Sequence, residues 1–133
     1  MSEKLDLARS ILAKWERGDF SSAEWAHPQI EYVFAEGPSP GTWKGVAGMA
    51  EGEREFLSAW EDYRLEIEQC RELDHERVLA LVQHGGRGKI SGIEVGQMFA
   101  SGATLFDVRD GKVVRLVLYW DRDRALADLG LKE

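Results

Sequence analysis

Gln83-His84-Gly85-Gly86-Arg87-Gly88-Lys89-Ile90-Ser91-Gly92, QHGGRGKISG, lies near the middle of this 133-residue chain, and two architectures read it differently. A phosphate-binding loop of the form G-x-x-x-x-G-K-[ST] sets backbone amides at the start of a helix, where aligned peptide dipoles favour an anion. Counted back from Gly88-Lys89, its first glycine falls at position 83, which is Gln, and the residue after Lys89 is Ile90. The following IEVGQMFA (93–100) reads as an alternating strand rather than a helix. The stretch is therefore a hairpin loop in which glycine supplies positive φ and Arg87 and Lys89 are solvated charges.

Folding RVLALVQH (77–84) back on IEVGQMFA about a centre near Lys89 sets His84 opposite Glu94, Val82 opposite Gly96 and Ala80 opposite Met98. Directly opposed side chains share a face, so this register predicts a His84–Glu94 pair; a slip of one residue would break it.

Working outward, strand-like alternation recurs in YRLEIEQCREL (63–73), in the continuation to Arg109 and in KVVRLVLYW (112–120). Asp110-Gly111 joins the last two as a tight turn. Upstream, Leu5, Ala8, Ile11, Leu12 and Trp15 form one apolar helical stripe that Gly18 can end. SSAEWA (21–26) is expected to be a second short helix, QIEYVFAE (29–36) a strand, the Gly- and Pro-rich segment that follows a loop, and residues 48–62 a helix. The tail DRDRALADLGLKE reads as a short helix capped by Asp121 and ending near Gly130. Helices first, then a run of antiparallel strands, predicts one α+β domain over residues 1–133, its sheet curved around the N-terminal helices into a cone whose open end is a pocket.

Composition limits the partners. A net charge of −7 argues against a nucleic-acid surface. No stretch approaches the ~20 apolar residues of a membrane span, so no membrane partner is expected. One cysteine, Cys70, forms no internal disulfide and suits a reducing cytoplasm. No set of His, Cys and carboxylate residues has metal-ligand spacing, and neither metal nor cofactor is expected.

WERGDF (15–20), HPQIEYVF (27–34) and VRDGKVVRLVLYWDRDRALADLGL (108–131) together resemble the SnoaL-like branch of the nuclear transport factor 2-like superfamily, which includes ketosteroid isomerases and polyketide cyclases. The resemblance covers nearly the whole chain and implies a cystatin-like cone that binds a small apolar molecule. Carried over residue by residue, the ketosteroid isomerase oxyanion tyrosine falls on Ser10, the base aspartate near Tyr32 and the protonated aspartate on Thr104. None of these is a base near neutral pH, so steroid isomerisation is not expected.

The same alignment turns Ile30, Tyr32, Phe34, Ala80, Val82, His84, Met98, Gly102, Thr104, Phe106, Leu116, Leu118 and Trp120 into the cone. From these the expected ligand-binding residues are Tyr32, Phe34, Val82, Met98, Thr104, Phe106, Leu118 and Trp120. The expected catalytic pair is His84 as base or acid, with Glu94 orienting it. Trp43 and Trp60 are further candidates for an aromatic wall, with the core as the plainer role for Trp60. The reaction class would be cofactor-free isomerisation, cyclisation or hydration; the alternative is a module that binds or dimerises without catalysis. A homodimer is expected through the outer sheet face, where Val113, Arg115, Val117 and Tyr119 lie beside Leu105.

Overall fold

The computed structural model describes residues 3–20, 23–35, 40–58, 60, 63–90 and 93–131; the side chains of 87–99 lie outside that description. The described elements are α1 (Glu3–Glu16), β1 (Ala26–Phe34), β2 (Gly41–Lys44), α2 (Gly45–Ser58), β3 (Arg64–Glu72), β4 (Arg77–Ile90), β5 (Ile93–Arg109), β6 (Lys112–Tyr119) and α3 (Arg122–Leu129). The strands form one curved, unclosed sheet in the order β2-β1-β6-β5-β4-β3. Helices α1 and α2 cover its concave face, and this is the expected α+β cone.

Three local expectations are corrected. The sheet is mixed, because β1 pairs parallel with β6 while every other pair is antiparallel. A parallel neighbour needs a long crossover, and residues 35–111 separate these two strands. In place of the helix expected at 21–26, Glu24 and Trp25 form a turn and Ala26 opens β1; Ser21 and Ser22 lie outside the described residues. The Val113 amide donates to the Trp25 carbonyl at 2.9 Å and draws this segment into the sheet, while the Trp25 ring meets Trp15 edge-on. The segment read as a loop contains β2, and α2 begins at Gly45, ahead of the expected start at residue 48. Trp43 explains both shifts: its indole packs on Phe34 and over Gly52 of α2, where a Cβ would stand 2.8 Å from the ring.

The β4–β5 hairpin is longer than a turn centred on Lys89 allows. Pairing runs out to Ile90 with Ile93, so Ala100 rather than Glu94 faces His84, and Glu94 faces Lys89. The register therefore does not set Glu94 opposite His84, and the Glu94 side chain lies outside the described residues. The partner has moved from position 94 to position 100, an even displacement, and an even displacement leaves the β4 residues up to the register shift at Arg87–Lys89 on their predicted face. Ala80 now opposes Thr104, Val82 opposes Gly102, and Gly86 opposes Met98.

Below the sheet, the α1 stripe of Ala8, Ile11, Leu12 and Trp15 is buried against Val78, Ala80, Phe106 and Leu116. A register shift between Asp107 and Val108 turns Val113 inward, where it is fully buried, against the expectation that it faces out. The opposite face carries a second cluster of Leu79, Leu81, Ala103, Leu105, Val117 and Tyr119, covered by Ala125 and Leu126 of α3. The apolar surface expected to meet a partner copy is thus occupied by the chain's own last helix. Full burial of a leucine such as Leu126 contributes about 2 kcal/mol.

The end signals of α3 fix its placement. The Asp121 carboxylate accepts from the Asp123 amide at 3.0 Å, and Gly130, at φ 68°, closes the helix in the left-handed conformation. Among the described residues no helix is long and apolar enough to cross a membrane.

Candidate functional site

His84 stands on β4 facing the concave side, between Leu65 of β3 and Ala100 of β5. It is 6% exposed, one of few polar residues in the core. Its Nε2 lies 3.0 Å from the Trp120 carbonyl and its Nδ1 lies 2.8 Å from the Tyr63 hydroxyl. A carbonyl oxygen only accepts, so Nε2 carries the proton. In the neutral ring Nδ1 is then the acceptor, and Tyr63 donates to it. Burial pushes the His84 pKa below its ordinary 6.5, partly offset by the Trp120 carbonyl, so the ring is neutral at pH 7.

The ring reaches that carbonyl because residue 102 is glycine. Beyond Tyr119 the chain leaves β6 and crosses close to β5; a Cβ on Gly102 would stand 2.6 Å from His84 Nε2 and 2.7 Å from the Tyr119 carbonyl. Any side chain here would compete with the imidazole for one space. Just beyond, the Arg122 guanidinium donates to the Val82 carbonyl at 3.1 Å and pairs with Glu68, tying the Trp120–Arg122 segment to β3 and β4.

Aromatic rings fill the cone. Trp60 stacks on Trp120 at 5.2 Å, Trp120 lies 4.2 Å from the His84 ring, and Phe34 stacks on Phe56 at 4.8 Å. Tyr63 meets Phe56 edge-on at 5.0 Å. Small voids of about 10 and 20 Å³ lie between them among the described residues. Each is the size of about one water molecule, against the few hundred cubic ångströms of an ordinary small-molecule site. Among the described residues, side chains occupy most of the space expected to be an open pocket. An open surface cleft of about 580 Å³ lies beside Glu3, Lys4, His75 and Asp110 and holds none of the expected site residues, while a second open concavity of about 450 Å³ is lined by Trp120, Asp121 and Arg122.

The two voids nevertheless gather most of the predicted set. Phe34, Val82, His84, Thr104, Leu118 and Trp120 line the smaller one. Tyr32 lines the larger, with Glu53, Phe20 and Trp15. Phe56, Tyr63, Leu65 and Leu118 border both, which sets Tyr63 between His84 on one side and Tyr32 and Glu53 on the other. Phe106 lines neither void; it stacks on Trp15 in the core. Trp43 belongs to the α2 contact, and the side chains of Glu94 and Met98 fall outside the described residues.

Sequence reasoning missed Tyr63 and Glu53. Burial pushes the Glu53 carboxyl up to about 7 from its ordinary 4.5. Burial first, then the nearby Glu53 and Tyr63, holds the Tyr32 phenol well above its ordinary range. Among the described residues neither Tyr32 nor Glu53 forms a hydrogen bond or ion pair, and the buried Trp60 Nε1 has no partner either. A signal for Glu53 did exist. GMAEGEREF places Met49, Gly52, Glu53 and Phe56 on one helical face, so a carboxylate stands in an apolar stripe.

A curved sheet covered by two helices over an interior of aromatic rings with phenol, imidazole and carboxyl groups among them defines a cone-fold protein. The family is specific: residues 8–116 match the SnoaL-like domain model, and the chain belongs to that family. It is similar in structure to TerC, crystallised with polyporic acid, at TM-score 0.74 and 22% identity over 96% of this chain and 98% of that one. A Xanthomonas campestris protein with a cystatin-like fold matches at TM-score 0.72 and 17% identity, covering 92% of this chain and 100% of its own. A Catenulispora acidiphila protein with a ketosteroid isomerase-like fold, crystallised with trimethylamine, matches at TM-score 0.67 and 16% identity, covering 96% and 94%. At these identities the likeness is one of fold. No curated protein matches the chain by sequence.

Proposed function

We propose that this chain binds a small apolar molecule inside the cone and performs cofactor-free acid–base chemistry on it, with Tyr63 and His84 acting as one unit. The observation that carries the reading is the position of Tyr63 between the two voids, bonded to His84 Nδ1 at 2.8 Å. A tyrosine alone is a poor base near neutral pH. Coupled to a neutral imidazole, its oxygen takes a proton from the bound molecule while its own proton passes to Nδ1. The resulting imidazolium keeps both hydrogen bonds, one to Tyr63 and one to the Trp120 carbonyl. In the reverse direction the same pair returns the proton, as isomerisation, cyclisation and hydration each require. This revises the expected His84–Glu94 pair: Tyr63 takes the place given to Glu94, and Phe34, Val82, Thr104, Leu118 and Trp120 form the apolar wall.

The filled interior favours the rival reading, an inert scaffold. Against it stands the buried Trp60 Nε1, which has no partner among the described residues, since a purely structural core pairs its polar groups. A buried polar atom without a partner costs about 1–3 kcal/mol, and a ligand with oxygen or nitrogen at its edge recovers that energy. Entry requires the Trp60–Trp120 stack or the Phe34–Phe56 stack to part. A reducing cytoplasm suits the free Cys70.

Thermal-shift and tryptophan-fluorescence titrations with aromatic polyketide, terpenoid and steroid fragments test the reading. Binding is expected to stabilise the protein, to change Trp60 and Trp120 emission and to weaken in Tyr32→Phe. If no fragment binds, or binding is the same in Tyr32→Phe and Tyr63→Phe, the cone is a core and the proposal fails.

A further inference from the structure

We infer that Arg122, held by Glu68, is a positioning residue for His84: it fixes the Trp120 carbonyl against Nε2 and so decides which ring nitrogen accepts from Tyr63. The Trp120 carbonyl has no place in the sheet. Tyr119 is the last residue of β6 and pairs with Ala103, and α3 begins only at Arg122. The direction of this carbonyl therefore depends on how the chain is anchored just beyond it. The Arg122 side chain, 12% exposed, is such an anchor. Its Nη2 donates to the Val82 carbonyl at 3.1 Å and to the Glu68 carboxylate, and its Nε lies 3.5 Å from the Gly102 carbonyl. Val82 and Gly102 oppose one another, and both bear on the imidazole. Val82 stands two residues before His84 on β4, and Gly102 leaves the space that the ring fills. The contacts form a closed circuit. It runs from His84 Nε2 to the Trp120 carbonyl, along two residues to Arg122, across to the Val82 carbonyl, and along β4 back to His84.

The backbone of β3 aims the carboxylate that holds Arg122. Register shifts between Ile67, opposite Val82, and Gln69, opposite Leu81, so Glu68 is an extra residue with no opposite number on β4. A bulge of this kind bends its strand and re-aims a side chain, and bulges recur beside active sites. The Glu68 carboxylate accepts from Arg122 and from Gln83 Nε2 at 2.8 Å, and Gln83 Nε2 lies 2.9 Å from Ser101 Oγ. Strands β3, β4 and β5 are thus joined around one guanidinium, whose planar fork serves a carboxylate and a carbonyl together. The consequence is chemical. The bond that one imidazole nitrogen makes sets which nitrogen carries the proton. With the Trp120 carbonyl in place, Nε2 holds the proton and Nδ1 offers its lone pair to Tyr63. With the carbonyl released, the Nδ1–H form becomes accessible, and in that form Nδ1 takes no proton from the phenol. The catalytic value of this choice rests on the reading of Tyr63 and His84 given above; the positioning of the ring does not.

Nitrogen-15 NMR of the His84 ring in the ligand-free protein decides it. The wild type is expected to hold the Nε2–H form, with that proton slow to exchange with water. In Arg122→Gln the Nδ1–H form is expected to gain about fivefold or more relative to Nε2–H, the ratio that one hydrogen bond controls, and the Nε2 proton to exchange faster. Glu68→Gln, a milder change at a half-exposed position, is expected to shift the ring the same way and to add nothing in the Arg122→Gln background. It also carries the test alone where Arg122→Gln does not fold. Leu126→Ala is the structural control: it loosens α3 from the outer face but keeps the guanidinium, and its ring signals are expected to match the wild type. The inference is overturned if both polar substitutions leave the ring unchanged, if their effects add, or if Leu126→Ala shifts it as far as Arg122→Gln. No ligand enters these measurements, so failure of fragments to bind the cone leaves the positioning intact, and its own failure leaves the proposed chemistry to the titrations above.

Discussion

Glu53→Gln should make the protein more stable at neutral and alkaline pH, and not in acid. In the folded chain burial pushes the carboxyl up to about 7, against an ordinary 4.5. Between those values the folded state holds a proton that the unfolded chain has released, so stability falls as pH rises through this window and levels off above it. Each pH unit of the window is worth about 1.4 kcal/mol. For this partly exposed side chain the full effect is about 2–3 kcal/mol, discounted for solvent screening. Glutamine keeps the shape and the hydrogen-bonding edge but never ionises, so the variant escapes the loss. For a domain of this length about 1 kcal/mol moves Tm by about 3–5 °C. The expected gain is therefore about 6–15 °C at about pH 8, shrinking to nothing near pH 4. Differential scanning calorimetry across this range measures it. An equal gain at both ends would mean that charge is not the cause, and no gain at about pH 8 would mean that Glu53 is well solvated or paired in the fold. The variant is also expected to lose the chemistry proposed for the cone, since stability gained at a site is commonly lost from function.

Gly102→Ala forces a Cβ to within 2.6 Å of His84 Nε2 and 2.7 Å of the Tyr119 carbonyl; it is expected to cost about 1–3 kcal/mol in urea unfolding and to break the ring's bond to Trp120, visible in the His84 nitrogen shifts. Tyr63→Phe strands the buried Nδ1 and is expected to cost about 1–3 kcal/mol, measured in the same way. Asp121→Ala removes the cap on the Asp123 amide; a loss of about 1 kcal/mol and faster amide exchange confined to α3 are expected. His84 supplies the acid limb of the pH profile. Its folded pKa lies below 6.5, so the unfolded chain takes the proton first and stability falls as pH drops below that value; His84→Gln should flatten this limb.

Much of the architecture was legible in the chain because periodicity survives packing. The α1 stripe, the alternation in β4 to β6, the Asp110-Gly111 turn and the Asp121 cap are local signals, and each lies where the pattern put it. The failures are non-local. β1 and β6 pair in parallel through contacts that no short window contains, and β2 emerges from a Gly- and Pro-rich segment because Trp43 finds Phe34 and Gly52. The hairpin centre was misplaced because glycines at 85, 86 and 88 look like a turn, although Gly85 and Gly86 are extended at φ near 156° and 159° and continue the strand. The faces survived that error because the displacement was even; the named partner of His84 did not. Tyr63 was hidden for another reason. It precedes β3 and reaches His84 diagonally across the pair in which Leu65 opposes His84, a relation visible only once that register is known.

The filled cone and the unpartnered polar groups have one physical explanation in common. An interior chosen for packing alone would replace Glu53 and Tyr32 with apolar residues of similar volume and gain stability. An interior chosen for an always-open pocket would leave its aromatic rings unstacked. This chain instead stacks Trp60 on Trp120 and Phe34 on Phe56 around a carboxyl, two phenols and an imidazole. A ligand that parts the rings loses stacking of about 0.5–1.5 kcal/mol per pair but meets polar groups already desolvated and, at His84, already oriented. On the proposed function, the closed state lowers affinity by the fraction of molecules that are open, while it keeps bulk water from the Tyr63–His84 pair until a molecule of the right shape displaces the rings.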